Sequence, residues 1–275
     1  MSDDTTGEYF NDSPIDLRTD QPHSARMYDY LLGGKDHYSV DGEAAEKALG
    51  AFPMLRTAAR ENRKFLGRAV RHLVRETGIR QFLDLGSGLP TAENVHQVAQ
   101  AVEPESRVVY VDNDPIVLVY GGAMLAMDER TAVIQGDIRD PHAILDNPVT
   151  TSLIDFSQPV AVLAVAVLHF VADEEDPAGI VRTLRETVVP GSHFILSHAT
   201  ADIAPEEAMG VQRSYRAQGV PLTLRTKERF TTFFDGLDIV EPGVQVVSDW
   251  RSTVPEAERP DPANVSWYGG IGRVA

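Results

Sequence analysis

The sequence predicts an α/β fold built on a largely parallel β-sheet. Three observations carry this prediction. Residues 82–90 (FLDLGSGLP) run from an apolar segment into a glycine turn, residues 160–168 are continuously apolar, and apolar segments of strand length alternate with amphipathic segments of helix length. A strand that is apolar along its whole length is buried on both faces, as the central strands of parallel sheets are. At 275 residues the chain is long enough for one such domain with additional elements.

The composition is that of a soluble globular protein, with 43% hydrophobic and 24% charged residues. Because there is no cysteine, disulfides, thiolate metal sites and thiol nucleophiles are excluded. No apolar run approaches the roughly 20 residues of a membrane span, and the acidic start lacks a signal peptide's apolar stretch. We therefore expect a cytoplasmic protein with no membrane partner. The net charge of −16 disfavours a nucleic-acid partner, since phosphates would be repelled.

The N-terminal region precedes the first predicted strand. Residues 1–22 are acidic and without periodicity, which predicts a disordered tail. Residues 23–38 form a short helix candidate that Gly33 and Gly34 end, and their tyrosines, histidines and charges fit either a structural cluster or a cover over a ligand. We expect residues 26–38 to close a cofactor site, with the rings of Tyr28 and Tyr30 against the ligand and with Arg26 or Lys35 meeting a carboxylate.

Two further helices are predicted before the first strand. Asp41 can cap a helix over residues 42–50, and a longer one follows over residues 53–77, whose arginine-rich face we interpret as a solvated face. No shift in composition divides the rest of the chain. We therefore predict a single domain over residues 23–275, with residues 23–78 as a helical cap and 79–275 as the core.

The glycine turn predicts a nucleotide-type binding loop. Gly86 and Gly88 would let the backbone approach a ligand, with Ser87 between them, and Asp84 stands two residues before the first glycine. A dinucleotide fingerprint requires a third glycine where this chain has Thr91. The loop therefore favours a different nucleoside cofactor, or an ordinary strand-to-helix turn.

A crossover helix and a second strand follow the loop. We expect the helix over residues 92–102, with Pro90 in the position of a first helical turn, and the strand over residues 107–112. Asp112 lies 24 residues beyond Gly88, near the spacing at which a carboxylate reaches a ribose. Asp114 and Pro115 then read as the cap and first residue of the next helix.

Later strand ends bring further polar residues to the same edge. Asp137 follows a third strand over residues 132–135 and can accept from an adenine amino group, or it can be a turn residue. His169 follows the strand over residues 160–168, and His198 ends a fifth strand over residues 193–198. Both histidines are candidate general bases, although a lone histidine near a strand end is often structural.

The remainder of the chain completes the α/β pattern. Helices are predicted over residues 177–188, 204–219 and 226–234, and strand-like segments over 238–240, 244–247 and 266–268.

The order of these motifs resembles that of the class I S-adenosyl-L-methionine methyltransferases: DLGSG, VVYVDND, GD, AVLHFV and PGSHFILSH. More narrowly, SARMYDYLLGGKDHY, NRKFLGRAVR, QFLDLGSGLPT, VVYVDNDP and WYGGIGR resemble an S-adenosyl methyltransferase family long catalogued as a domain of unknown function. Ser192 departs from the usual second glycine of the PGG segment. There is also no Asn/Asp-Pro-Pro-Tyr after strand four, which weakens nucleobase methylation.

The resemblance implies a Rossmann-like, doubly wound, seven-stranded sheet with a reversed last strand and an N-terminal helical extension over the cofactor edge. It implies that S-adenosyl-L-methionine is the cofactor and that no metal is needed. The residues expected to hold the cofactor are Tyr28, Gly33, Gly34, Asp84, Gly86, Ser87, Gly88, Asp112, Asn113, Asp137, Ile138 and Ala166.

Three functions remain open on the sequence. The first is direct methyl transfer to an unidentified small-molecule acceptor, in which proximity and desolvation carry most of the barrier. The second is a sensor or interaction module that binds S-adenosyl-L-methionine without turnover. The third, an NAD-dependent oxidoreductase, is weakened by Thr91.

Overall fold

The structure is a computed structural model that describes residues 17–91, 93–125 and 129–275. The predicted tail therefore lies outside the described residues as far as residue 16. The α-helices in the described residues are α1 Ser24–Leu32, α2 Ser39–Ala51, α3 Leu55–His72, α4 Val95–Gln100, α5 Pro115–Leu125, α6 Pro141–Leu145, α7 Pro148–Leu153, α8 Pro177–Thr187, α9 Pro205–Ala217 and α10 Lys227–Thr231. The strands are β1 Gln81–Leu85, β2 Arg107–Asp112, β3 Thr131–Gln135, β4 Ala161–Val165, β5 His193–Ala199, β6 Asp238–Ile239, β7 Gln245–Val246 and β8 Trp267–Arg273.

The strands form one twisted sheet in the order β3-β2-β1-β4-β5-β8-β6, with β7 also paired to β8. Strands β1 to β5 are parallel, while β8 runs antiparallel to β5, β6 and β7. The strand order reverses between β1 and β4, which is where open α/β sheets bind ligands. The Rossmann-like fold with a reversed last strand is confirmed. The strand-like segments predicted over residues 238–240 and 244–247 form the two-residue strands β6 and β7, so the described sheet has eight strands where seven were expected.

Strands β1, β4 and β5 are buried along their whole length, and β2 is buried from its second residue on, whereas the edge strand β3 is only partly buried. Leu83 and Leu85 of β1 pack into one core beneath the sheet, while Phe82 packs into the core on the other face together with Phe65 of α3. Side chains alternate between the faces of a strand, so a strand covered by helices on both sides must be apolar throughout.

The helix after the glycine loop begins later than the sequence predicts. Asn94 precedes α4, and its side-chain oxygen accepts from Thr91 N (3.1 Å), while Gln97 Oε1 accepts from Asn94 N (2.9 Å). This capping arrangement starts the helix at Val95, so Pro90 lies in the loop and not in the first helical turn.

Two other features of the fold also differ from the sequence prediction. The strand predicted over residues 160–168 ends at Val165, because Ala166 adopts a left-handed φ of +60° and residues 168–170 form a 3₁₀ turn. The short helices α6 and α7 were not predicted. Each spans five or six residues, too few to show an apolar period.

The N-terminal helices pack with α9 into a separate apolar cluster beside the sheet. Met27 and Leu31 of α1, Ala48 of α2, and Val211 and Tyr215 of α9 are buried in this cluster. It holds α1 against the carboxyl edge of the sheet. None of the helices in the described part of the chain is both long and apolar enough for a membrane span.

Candidate functional site

A cavity of ≈ 270 Å³ lies at the carboxyl edge of the sheet, next to the point where the strand order reverses. Its walls come from the loops after β1, β2, β3 and β4, from α1 and α3, and from residues 219–221 after α9. Ten of the twelve residues predicted to hold a cofactor line it, namely Tyr28, Asp84, Gly86, Ser87, Gly88, Asp112, Asn113, Asp137, Ile138 and Ala166.

The glycine loop forms the floor of this cavity. Gly86 N and Ser87 N donate to Val111 O at 2.8 and 3.1 Å, which ties the loop to the neighbouring strand. Gly86 has a φ of +68°, and a Cβ added to it would collide with the side chain of Val167. Position 86 therefore requires glycine for both its conformation and its space.

Asp112, at the end of β2, is buried beside the loop. Its Oδ2 accepts from Gly88 N at 2.8 Å and its Oδ1 accepts from Asp114 N at 3.0 Å. Burial raises the pKa of this carboxyl, while the two backbone bonds act in the opposite direction. Each carboxylate oxygen has a further lone pair, so Asp112 can still accept from ligand hydroxyls.

Asp84, at the end of β1, is a second buried carboxyl, and its residue is 4% exposed. Burial raises its pKa to about 7; the charge of Arg63 acts against this rise and that of Asp112 adds to it. Arg63 comes from α3 and also lines the cavity, where its Nη2 donates to Glu93 O at 3.1 Å. The floor of the cavity thus combines two buried acids with one cation.

The loop after β3 supplies a more exposed wall. Asp137 Oδ1 accepts from Arg139 N at 2.9 Å, and the Arg139 guanidinium pairs with both Asp137 (3.1 Å) and Glu175 (2.6 Å). Because Asp137 is held by Arg139, its carboxylate is oriented before any ligand arrives. Ile138 adds an apolar surface beside it.

A chain of hydrogen bonds joins the far side of the cavity to the cap. Ala166 N donates to Ser197 Oγ (3.0 Å), and Ser197 Oγ donates to Asn62 Oδ1 (2.7 Å). Asn62 Nδ2 then donates to the hydroxyl of Tyr28 (3.0 Å), which donates to Ala59 O (3.0 Å). The network fixes the left-handed Ala166 and the ring of Tyr28 relative to each other.

The start of α1 covers the cavity. Residues 22–25 and Tyr28 line it, whereas Arg26, Tyr30 and Lys35 of the segment predicted to close it do not. The Arg26 side chain is 2% exposed and points to Asp114 (Nε–Oδ2 3.0 Å) and Asp41 (Nη1–Oδ2 3.5 Å). Arg26 therefore anchors the cover to the starts of α5 and α2.

Gly33 and Gly34 were predicted to hold the cofactor, and the structure does not bring them to the cavity. Gly33 ends α1 in a left-handed conformation with φ +85°, and Gly34 N donates to Asp29 O at 2.9 Å. Both glycines serve the helix end, because a helix commonly closes with such a residue. Tyr30 likewise lies away from the cavity, over the guanidinium of Arg56.

The two candidate bases also lie outside this cavity. His198 is buried, its Nδ1 donates to Ala199 O (2.7 Å), and its Nε2 accepts from Arg225 Nη1 (2.9 Å). Burial lowers the pKa of His198 to about 3, and neither ring nitrogen is left to take a proton from an acceptor. His169 is buried as well, which lowers its pKa well below the usual value, and it lines a neighbouring cavity.

Sequence reasoning missed several lining residues. Arg63 stood among the seven cations of the face interpreted as solvated, and nothing in the sequence set it apart. Asn62 carried a signal, because it is a polar residue on the apolar face of α3. Val220 and Pro221 reach the cavity from a connecting segment that the sequence does not place.

The lining fits S-adenosyl-L-methionine. Ser87 lines the cavity, and its buried Oγ has no hydrogen-bond partner among the described residues. The carboxyls of Asp84 and Asp112 suit the hydroxyl and amino groups of such a ligand, and Ile138 with Val165 suits its adenine ring. Among the described residues, no group of three or more histidines and acids is placed to hold a metal ion.

Comparison with known proteins agrees with this arrangement. A model of the S-adenosyl methyltransferase family matches residues 11–275. A solved structure of a DUF574 family protein from Streptomyces avermitilis is 45% identical, with a TM-score of 0.92, and the match covers 94% of this chain and 100% of that chain. A provisionally assigned methyltransferase from Thermobifida fusca is 41% identical, with a TM-score of 0.90, over 96% of this chain and 99% of that chain.

More distant structures share the fold alone. Mitomycin 7-O-methyltransferase MmcR is 15% identical with a TM-score of 0.51, over 80% of this chain and 56% of that chain. A search of the curated proteins returned no match.

Proposed function

The chain belongs to the S-adenosyl methyltransferase family, and from that premise we propose that it transfers the methyl group of S-adenosyl-L-methionine to a small-molecule acceptor. The observation that carries the proposal is the cavity itself. One glycine loop with an unpartnered Ser87 hydroxyl, two buried carboxyls and an oriented Asp137 meet at the edge of the sheet under α1. The relatives do not favour a binding module without turnover.

The residues of the chain would bind and orient the cofactor. Asp112 would accept from the ribose hydroxyls, and Asp137 with Ile138 would hold the adenine. Asp84 and Arg63 would meet the amino and carboxylate groups, because each offers the opposite charge. Residues 22–25 and Tyr28 would exclude water from the reacting atoms.

The chemistry of the bound cofactor requires little further help. When bound, S-adenosyl-L-methionine would supply a methyl carbon on a positively charged sulfur: the acceptor's lone pair would form the new bond to carbon, and the carbon–sulfur pair would stay on the neutral thioether. The methylated acceptor would release its proton to solvent as it leaves the site. Because both histidines at the strand ends are neutral and buried, the proposal assigns no general base to them. Positioning and desolvation would provide the acceleration.

The Asp112 assignment is tested by calorimetry. Asp112→Ala should lower the affinity for S-adenosyl-L-methionine by about 1.5–3 kcal/mol, because it removes charge-assisted hydrogen bonds. Asp112→Asn keeps an acceptor oxygen and loses the charge, so its affinity should lie between those of the native protein and of Asp112→Ala. Asp146→Ala removes an exposed carboxylate outside the cavity and serves as the control. Equal affinities for all four proteins would contradict the assignment.

Turnover is tested separately. The native protein should release S-adenosyl-L-homocysteine when a panel of alcohols, phenols, amines and carboxylic acids is supplied with the cofactor. If the cofactor binds and no member of a broad panel is methylated, the binding-module alternative replaces this proposal.

A further inference from the structure

A second cavity adjoins the first on the side of the cap. Its volume is ≈ 40 Å³, and it lies between α1, α3 and α9 and the ends of β5 and β8. Ser24, Tyr28 and Phe170 line both cavities, so the two meet at these three residues. A group in the second cavity would therefore be next to whatever occupies the first.

The second cavity is apolar and carries no formal charge. Leucines, alanines and aromatic rings dominate its walls, among them Leu31, Leu222 and Trp267, and none of its lining residues is Asp, Glu, Lys or Arg. His169 is the one lining residue of a type that ordinarily titrates near neutral pH; burial lowers the pKa of its imidazole well below the usual value, so the ring is neutral. Such a site excludes ions, because a charge placed there would be desolvated without a partner.

One polar atom in the lining is unsatisfied. Ser266 is 2% exposed, and its Oγ has no hydrogen-bond partner in the described part of the chain. A buried hydroxyl without a partner destabilises a fold, so each such group needs an explanation. Ser266 also has a left-handed φ of +49°, a conformation that strains a residue other than glycine and is found preferentially at functional sites.

The size of the cavity limits its occupant. A volume of ≈ 40 Å³ corresponds to roughly three water-sized spheres, which is space for a short branched aliphatic group. An aromatic ring would require Phe170 or another wall residue to move.

We propose that the second cavity binds the uncharged, apolar end of the methyl acceptor, an isobutyl-sized aliphatic group carrying an oxygen that bonds to Ser266. The rest of the acceptor passes Tyr28 and Phe170 to reach the cofactor. This inference rests on the proposed function, because it names the class of substrate for that site.

Isobutanol is the probe, with the full-length protein and S-adenosyl-L-methionine present. It should bind at millimolar concentration and shift the methyl NMR resonances of Val211 and Leu222, while those of the exposed Val149 stay unchanged. Isobutylammonium, which has the same shape and a positive charge, should bind at least tenfold more weakly. Absence of isobutanol binding, or displacement of isobutanol by the cofactor, would overturn the proposal.

Three variants locate the site. Ala208→Leu adds three carbon atoms to a residue that lines the second cavity, and it should abolish isobutanol binding. Met209→Leu changes the next residue of the same helix, which is 43% exposed, and should leave isobutanol binding intact. Ser266→Ala should weaken isobutanol by about tenfold or less, through loss of one hydrogen bond. None of the three residues lines the first cavity, so all variants should keep the native affinity for S-adenosyl-L-methionine.

Turnover measurements test whether the methyl acceptor occupies the second cavity. An acceptor that the native protein methylates should compete with isobutanol, and its kcat/KM should fall at least tenfold in Ala208→Leu. An acceptor that is methylated equally well by Ala208→Leu overturns the proposal. Failure of the proposed function would look different, because no acceptor would be methylated by any of the proteins while isobutanol still bound the second cavity.

Discussion

Gly86 and Gly88 have the same φ of +68° and yet occupy different surroundings. A Cβ at position 86 would collide with Val167, whereas a Cβ at position 88 would meet nothing within 4 Å. Replacing either glycine by alanine would therefore strain the backbone, but only the replacement at position 86 would also cause a steric collision.

This difference predicts unequal effects on stability. Gly88→Ala should lower the free energy of unfolding by about 1–2 kcal/mol, the cost of a left-handed alanine. Gly86→Ala should lower it by about 1–3 kcal/mol more, because Val167 or the loop must move. Urea denaturation of the two variants beside the native protein measures both values, and equal losses would contradict the steric argument.

The raised pKa of Asp84 should make the stability of the protein depend on pH. Burial raises its pKa to about 7, above the roughly 3.9 of an unfolded chain, so between about pH 4 and 7 the folded protein retains a proton that the unfolded chain loses. The contribution of Asp84 to stability therefore falls as the pH rises through that window and is constant above it. Between pH 5 and 7 the native protein should lose up to about 2 kcal/mol more than Asp84→Asn does. If the free energy of unfolding changes with pH in the same way for the two proteins, the pKa of Asp84 is not raised.

At this scale the sequence predicts residues that belong to short motifs. Asp84, Gly86, Gly88 and Asp112 were found because a glycine turn and a carboxylate at a set spacing have a recognisable physical purpose. Arg63 was not predicted, because its place in the site depends on how α3 is rotated against the sheet. The sequence around Arg63 does not determine that rotation.

At the scale of elements, Arg26 connects three helices. Its guanidinium lies between Asp114 before α5 and Asp41 in α2, and its Nη2 donates to Gln21 O at 3.1 Å. The two carboxylate contacts are ion pairs without hydrogen-bond geometry. Both carboxylates are buried, so the arginine compensates charges that solvent cannot reach.

Removing this arginine should destabilise the protein. Arg26→Ala removes the guanidinium between Asp41 and Asp114 and leaves His23 Nδ1, 3.2 Å from Asp114 Oδ2, beside one of the two buried carboxylates. We expect a loss of about 3–5 kcal/mol in the free energy of unfolding. Arg60→Ala, on the exposed face of α3, should change it by less than about 0.5 kcal/mol. Thermal unfolding followed by circular dichroism compares the two. Similar midpoints would show that Arg26 does not anchor the cover.

Helices and strands could be located from the sequence where burial gives them a clear apolar pattern. Strands β1 to β5 were located because their sequences are apolar on both faces. The start of α4 was misplaced, because Asn94 caps it several residues after a proline that would also suit a helix start. In α1 the sequence offers Tyr28 and Tyr30 equally, and since residues two apart point to different sides of a helix, only packing decides that Tyr28 meets the cavity.

At the scale of the whole molecule, charge dominates long-range interactions. The chain has 25 basic and 41 acidic residues, which gives the net charge of −16. A phosphate backbone approaching this surface would be repelled, because nonspecific affinity for nucleic acids depends on lysine and arginine contacts.

We expect no useful binding of nucleic acids. Filter binding of transfer RNA or duplex DNA in 50 mM salt should give a dissociation constant weaker than about 100 μM, the weak limit of nonspecific binding. A basic protein of similar size provides the positive control. Tight retention that weakens as salt is added would contradict this expectation.

The position of β8 has a consequence for how the protein is made. Strand β8 pairs with β5 along seven residues and also carries β6 and β7, so it joins these two short strands to the parallel part of the sheet. Of all the described strands it is the last to leave the ribosome. The nascent chain therefore cannot complete the described sheet before β8 has been made: β5 emerges with one edge open, and its partner lies more than sixty residues downstream. Exposed strand edges recruit other chains, so the interval between the synthesis of β5 and of β8 is when this protein is most exposed to aggregation.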